Sequence, residues 1–430
     1  MARFLFATQP ITGHLLPAMP IVRSLLQRGH EVRWYTGRKF QSRIETLGAG
    51  FEPFRSAYDY DDHDYDAAFP GRGKLKGLSQ IKFDFTNIFM KQIGPQHRDL
   101  EAIQKSFRPD VLVADPTFDA ALTLHAKGGP PFAIYNVTCL GIRSCDTAPF
   151  GLGLPPSATL LGRLRNRLLY GMASNVIFRQ ATLERIRQRR ALDVEPARFG
   201  GVLNSPFLFL QPTVQGFEYP LSDLPPQVHF IGALLPDAPA SFTPPAWWPE
   251  AMEKKRPVVL VTQGTVATDV RELIKPALEG LASVDALIIA AGVKSPSDLG
   301  LSRIPENARV ETFVPFKPLL PAVDVYVTNG GFGGVHYALA NGVPVVAGGT
   351  TEDKPEICNR IAYAGAGVNL KTGKPKPKQV REAVTRVLKD PSYRAKAQGL
   401  KSQFDRLDAQ AEAARLLEKL AETKRPVLAG

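Results

Sequence analysis

Apolar residues come in short runs, and each run is followed by a segment whose apolar positions recur at helical spacing. Residues 3–8 have the profile of a buried strand and residues 15–28 that of a helix. Gly29 closes that helix before a second strand at Glu31–Thr36. Val111–Ala114 and residues 132–137 are further strands, with helical stretches such as 87–104 between them. This alternation predicts a parallel sheet wrapped by helices on both faces.

The series then stops and restarts. Residues 236–249 hold five prolines, which forbid regular structure and mark an interdomain linker. Beyond it, strands are expected at 257–262, 286–291, 310–313, 325–328 and 343–347, with a helix at 269–281 after the first. The expected fold class is α/β, with two Rossmann-like doubly wound domains facing a central cleft. The first domain is expected to span 1–222, the linker 223–256 and the second domain 257–400. A C-terminal helix within 401–430 is expected to pack back on the first domain. Ligands of such sheets bind outside the carboxyl ends of the strands, so the site belongs in loops that follow strands of both halves.

At 430 residues, 44% hydrophobic and 22% charged, the chain is long enough for two cores and too apolar for disorder. No run of about 18 uncharged apolar residues is present. The first apolar run is interrupted by Gln9, Pro10 and His14, so it reads as a strand rather than a secretion signal, and a cytoplasmic location is expected. Cys139, Cys145 and Cys358 lack metal-site spacing and are expected to be ordinary thiols in a reducing compartment. The net charge of +12 favours an acidic partner: nucleic acid, an anionic membrane face or a phosphorylated small molecule. Basic clusters at 163–167, 185–190 and 374–378 lack interleaved aromatics, so nucleic-acid binding is not expected. A solvated face is their first reading, and a weak membrane-surface contact the second. Monomer and dimer both stay open.

The strongest local signal is Thr328-Asn329-Gly330-Gly331-Phe332-Gly333-Gly334-Val335-His336, which lies between a strand and a helix. Packing a tight turn needs one or two glycines; four let backbone amides approach an anion at the positive end of a helix, so a phosphate is the expected ligand. Gly264 and Thr265 end another strand, where the same phosphate could be reached. Phe313 places an aromatic ring at a third strand end, suited to stacking a base. In the first domain, His14 follows the first strand and Asp115 ends Val111–Ala114. Parallel strands of one sheet bring the two within plausible hydrogen-bond reach. A carboxylate there would orient the imidazole and favour its protonated form.

Taken in order, these parts resemble a GT-B glycosyltransferase of the UDP-glycosyltransferase superfamily, of the bacterial natural-product or macrolide type. The resemblance runs through Gly13-His14-Leu15-Leu16-Pro17, Val113-Ala114-Asp115, Phe230-Ile231-Gly232, and the long stretch from Phe313-Val314-Pro315 to Asp353-Lys354. It implies that His14 is the general base for the acceptor hydroxyl and that Asp115 holds and polarises it. Gly264, Thr265 and the turn of Asn329, Gly330, Gly331, Gly333 and Gly334 would meet the diphosphate. Phe313 would stack the base, with Val314 backbone groups on its edge. Asp353 would bond sugar hydroxyls, and Lys354 stands where a glutamine often does. Asn329 replaces the family's usual histidine, and Tyr337 its usual ribose-binding glutamate; a phenol bonds one hydroxyl where a carboxylate bonds two.

The implied reaction moves a sugar from a nucleotide diphosphate sugar, UDP-glucose first and a dTDP-sugar second, to a small apolar hydroxylated acceptor. A phenol, flavonoid, macrolide or sterol fits that description. A single displacement would invert the anomeric centre, with neither cofactor nor metal required. Asp59-Tyr60-Asp61 and Asp64-Tyr65-Asp66 mimic the metal-binding motif of another glycosyltransferase class but precede no suitable strand, and residues 58–69 are expected to form a mobile acidic loop near the cleft. Phe85, Phe89 and Phe132 are candidates for the acceptor pocket. Two alternatives remain: a nucleotide-sugar 2-epimerase on the same scaffold, and a non-catalytic protein that binds a nucleotide or hydrophobic ligand.

Overall fold

The computed structural model describes residues 1–235, 242–263 and 269–429. Its first sheet has seven parallel strands: β1 (Arg3–Ala7), β2 (Glu31–Thr36), β3 (Gly50–Pro53), β4 (Val111–Ala114), β5 (Phe132–Tyr135), β6 (Leu208–Gln211) and β7 (Val228–Phe230). Their spatial order is β3-β2-β1-β4-β5-β6-β7. The second sheet has six: β8 (Val258–Thr262), β9 (Leu287–Ala291), β10 (Ala308–Glu311), β11 (Val325–Thr328), β12 (Val345–Ala347) and β13 (Gly367–Asn369), in the order β10-β9-β8-β11-β12-β13. The central strands are buried along their whole length, as expected of sheets covered by helices on both faces.

Both sheets reverse their strand order once, between β1 and β4 in the first and between β8 and β11 in the second. Crevices open at such switch points. In the first sheet Ala7 pairs with Ala114, so the loops bearing His14 and Asp115 leave the sheet at the same level. In the second, Thr262 pairs with Thr328, and the glycine turn leaves beside the end of β8.

The helix expected at 15–28 is broken into Thr12–Leu15, a tight turn Leu16–Ala18 and Met19–Gln27. Pro17 and Pro20 each occupy the start of a new segment, the one helical position where a missing N–H costs nothing. The first domain also extends past its expected limit of 222. Strand β7 belongs to the first sheet, so the linker begins only after Ile231, and residues 236–241 of it lie outside the described residues. The last helix of the second domain, Pro391–Phe404, runs beyond the expected boundary at 400. After it, Ala409–Thr423 returns to the first domain, where Ala413, Leu416, Leu417 and Leu420 pack with Phe4, Val22 and Leu25. Burial of those three leucines contributes on the order of 5 kcal/mol to holding the return. Lys424 Nζ adds a bond to Asp110, and His229 Nε2 meets the Val427 carbonyl.

Candidate active site

His14 lies in the short helical turn that follows β1, and three contacts fix that turn. Asp62 accepts the Thr12 N–H at 2.7 Å and the Thr12 hydroxyl at 3.2 Å. The Tyr135 hydroxyl donates to the His14 carbonyl at 2.8 Å. The imidazole Nδ1 stands 3.4 Å from Asp115 Oδ1, within ion-pair range, and has no hydrogen-bond partner. This places Nε2 on the opposite edge of a ring that remains 17% exposed.

Asp115 is fully buried. Its Oδ2 accepts the Gln9 N–H at 2.7 Å, and its Oδ1 accepts the Thr117 N–H and hydroxyl, each at 2.7 Å. Burial alone would raise its carboxyl, but His14, Thr117 and Gln9 outweigh burial and hold it below its ordinary value. Asp115 is therefore an anion facing the inner nitrogen of His14. It favours the tautomer with a proton on Nδ1 and leaves Nε2 as an acceptor.

The acidic segment 58–69 is not a loose loop. Tyr60 and Phe69 are buried and pack with Ile88, Ile11, Tyr65, Ala68, Phe83 and Phe89. Its carboxylates have structural uses: Asp62 ties down the His14 turn, Asp59 accepts the Arg38 N–H, and Asp64 caps the turn Tyr65–Ala68. Asp61 and Asp62 also pair with Lys39 Nζ. Ile11 precedes the His14 turn, so this aromatic wall adjoins the base.

The Tyr60 hydroxyl is buried without a partner, and so is Gln96 Oε1, whose amide nitrogen donates to Gln9. Behind the wall, Arg72 forms a two-pronged bond to Asp84 at 2.7 and 2.8 Å and lies over the Tyr65 ring. Burial pushes the Asp84 carboxyl up, Arg72 opposes this, and Glu352 of the second domain adds to it from across the cleft.

The proposed acceptor phenylalanines separate. Phe89 lies in the wall and also touches a second cluster. Phe85 belongs to that second cluster alone, against Phe178 and Phe199. Phe132 does not reach the cleft. It is the first residue of β5, at the sheet edge opposite His14, buried beside His125 and Phe207. An apolar residue at the amino end of a central strand is core, and only its position along the strand distinguishes it from a pocket residue.

On the donor side, Asn329 to Gly331 join β11 to the helix Phe332–Ala340. Two of the four glycines are accounted for by the protein itself. Gly330 has φ +86°, where a Cβ would also meet Cys358 Sγ at 2.7 Å, and a Cβ on Gly334 would meet the Tyr326 hydroxyl at 2.7 Å. Gly331 and Gly333 are different: a Cβ on Gly333 would meet nothing within 4 Å, and one on Gly331 only Asn329 Oδ1 at 3.8 Å. Their missing side chains leave space in front of the first helical amides, which suits an anion. The buried Asn329 Oδ1 beside them has no partner.

Phe313, 63% exposed after β10, presents an uncovered ring, whereas the Val314 side chain is core. Tyr337 packs edge-on to Phe316. Asp353 accepts the Thr138 hydroxyl of the first domain at 2.5 Å; burial pushes its carboxyl up, partly offset by that bond. Lys354 is buried against Thr351 and Glu352. Gly264 and Thr265 lie outside the described residues.

The domains meet around the donor helices. Glu356 Oε1 accepts the Gly151 and Gly153 amides at 2.9 and 2.8 Å. Arg360 spans Glu218 at 2.5 Å and Glu356 at 2.9 Å, and donates to the Leu140 carbonyl at 2.8 Å. All three charges are buried. Such a network is costly to break, since removing one partner strands the others.

The whole chain also has close relatives. It is 42% identical to the 4'-demethylrebeccamycin synthase of Lentzea aerocolonigenes, over 97% of this chain and 99% of that one. The chain is a GT-B glycosyltransferase of the UDP-glycosyltransferase superfamily. A second relative, UDP-glycosyltransferase 2 of Phaeomoniella chlamydospora, is 33% identical over 97% of this chain and 95% of its own. Residues 275–420 of the glycosyltransferase match the model of the erythromycin biosynthesis protein CIII-like C-terminal domain. The glycotransferase of kitacinnamycin shares its fold at a TM-score of 0.74 and 21% identity, over 97% and 98% of the two chains. The enzyme uses a nucleotide-sugar donor. Neither the epimerase nor the non-catalytic reading finds support among these relatives.

Residue patterns pointed to His14, Asp115 and the glycine turn of this glycosyltransferase. They did not point to Asp62, Tyr60, Gln9, Gln96 or Thr138, whose roles depend on contacts between segments distant in sequence.

Proposed function

We propose that this glycosyltransferase transfers glucose from UDP-glucose to a hydroxyl of a small apolar acceptor, with inversion and without a metal. The observation that carries the reading is the His14–Asp115 pair at the first switch point, beside an aromatic wall. His14 Nε2 takes the proton of the acceptor hydroxyl, and the oxygen forms its bond to the anomeric carbon as the bond to the diphosphate breaks. Asp115 stabilises the imidazolium, a form of general-base assistance worth about 10²–10⁴-fold. Charge on the departing diphosphate is taken up by amides at the start of Phe332–Ala340, so the reading calls for no metal.

The acceptor reading rests on the wall of Ile11, Tyr65, Phe69 and Phe89 with the unpartnered Tyr60 hydroxyl. That surface suits a flat, apolar molecule carrying one polar group, such as a phenol or flavonoid. The donor reading draws on the name of the Phaeomoniella chlamydospora relative, a UDP-glycosyltransferase. A mass-spectrometric screen pairs UDP- and dTDP-sugars with phenolic, macrolide and sterol acceptors in buffer with a metal chelator. The expected product is a β-linked O-glucoside made from UDP-glucose. An α-linked product, a product seen only with added metal, or turnover with dTDP-sugars alone would overturn the corresponding part.

A further inference from the structure

Nine of the sixteen large hydrophobic side chains that are exposed among the described residues fall between Leu152 and Leu183. Five of these lie on one helix, Leu160–Met172: Leu160 and Leu161 are more than 80% exposed, and Leu164, Leu168 and Met172 more than half. The helix is firmly built. The Thr159 hydroxyl caps it by accepting the Gly162 N–H, Asn166 donates to the Cys145 carbonyl, and Gly162, Asn166 and Tyr170 face the domain. At about 100° per residue, the five outward side chains fill a single arc of roughly 120°. Arg167 lies just outside one edge of that arc and Arg165 just outside the other. Val176, 68% exposed, continues the stripe.

Charge identifies what covers this face. No Asp or Glu occurs from residue 147 to 183, whereas Arg163, Arg165, Arg167 and Arg179 do; Asp146 pairs with Arg163 at 2.9 Å, which leaves Arg165, Arg167 and Arg179 to set the charge of the face. A second copy of the chain meeting this face about a two-fold axis would bring arginines against arginines. A surface that is negative and fluid, with apolar material beneath, complements both the leucines and their arginine borders. We propose that Leu160–Met172 docks the enzyme on an anionic lipid bilayer, with Leu160, Leu161, Leu164, Leu168 and Met172 entering the boundary between headgroups and acyl chains. The arginines meet lipid phosphates. The loop that feeds this helix is the one whose Gly151 and Gly153 amides bond Glu356, so the docked face adjoins the joint between the domains.

The test is flotation of the full chain with vesicles of phosphatidylcholine alone and of phosphatidylcholine containing about one third phosphatidylglycerol. Binding is expected only to the second, and it should fall as salt rises. Arg167→Gln should weaken it roughly fivefold. The double substitution Leu164→Glu, Leu168→Glu should weaken it by roughly tenfold or more, because two leucines lose their apolar burial. That variant should keep the wild-type circular dichroism spectrum and its turnover of a water-soluble acceptor. Absence of binding at low salt, or equal binding by the double variant, would overturn the proposal. So would a dimer in sedimentation that the double substitution dissociates, which would assign the face to a second copy instead.

Discussion

His336 Nε2 of the second domain lies 2.7 Å from the Thr213 hydroxyl of the first. The ring's other nitrogen faces the Phe332 carbonyl at 2.8 Å, so Nδ1 carries the proton and Nε2 accepts from Thr213. The ring is neutral: burial drives its pKa down from 6.5 to about 4, with the Phe332 carbonyl partly opposing. It stands one turn into the helix Phe332–Ala340, whose amides we propose face the donor phosphate, and it joins that helix to the first domain.

An acid sensitivity follows from this pair. In the unfolded chain His336 takes up a proton below about pH 6.5, whereas the folded chain resists protonation down to about 4. Stability is therefore complete above pH 6.5 and declines between there and pH 4, by about 3 kcal/mol at most. Thermal unfolding across this range should show the decline, and His336→Gln should flatten it. An equal slope in the variant would assign the acid sensitivity elsewhere.

The Tyr60 hydroxyl is buried without a partner. An unsatisfied hydroxyl costs about 1–3 kcal/mol, so Tyr60→Phe should leave thermal stability unchanged or raise it. The same substitution should raise the acceptor KM several-fold with little change in the donor KM. A loss of stability with an unchanged acceptor KM would mean that the hydroxyl serves the fold.

Asp62 holds the turn that carries His14 but does not touch the ring's partner Asp115. It is a positioning residue. Asp62→Ala should lower kcat roughly tenfold or more, since small misplacements of a base are expensive. Asp62→Asn, which keeps one acceptor oxygen, should recover much of that loss, and donor affinity should be unaffected by either. Equal loss in both variants would point to the charge of Asp62 rather than to its hold on Thr12.

Gly333 lies in the first turn of Phe332–Ala340 and has open space where a Cβ would stand. Alanine favours a helix over glycine by about 1 kcal/mol, so Gly333→Ala should unfold at a higher temperature. It should also weaken UDP binding, roughly tenfold by calorimetry, because the methyl intrudes where the diphosphate approaches. Unaltered UDP affinity would place the phosphate elsewhere.

Much of this enzyme is legible from local pattern. The continuous apolar runs of β1, β4, β8, β9 and β11 announce buried parallel strands, and the glycine-rich turn announces a tight strand-to-helix junction, where packing accounts for Gly330 and Gly334 but not for Gly331 and Gly333. Strands β3, β7 and β13 escape such a reading because each is three or four residues long and half-exposed, with no period to detect, and β6 escapes it although its four residues are fully buried. The role of Asp62 was hidden because five aspartates in one segment look like solvent-facing acidity. Only the fold brings one of them against Thr12, fifty residues earlier. Phe132 misled for the opposite reason, since an aromatic in a strand has the same local signature at either end of it.

The account depends on His14 accepting the acceptor's proton, and His14→Ala tests that directly under saturating donor. The expected result is a fall in kcat of about 10²–10⁴-fold with UDP affinity unchanged, because His14 lies in the other domain from the donor turn. Turnover at the wild-type rate in His14→Ala would contradict the account.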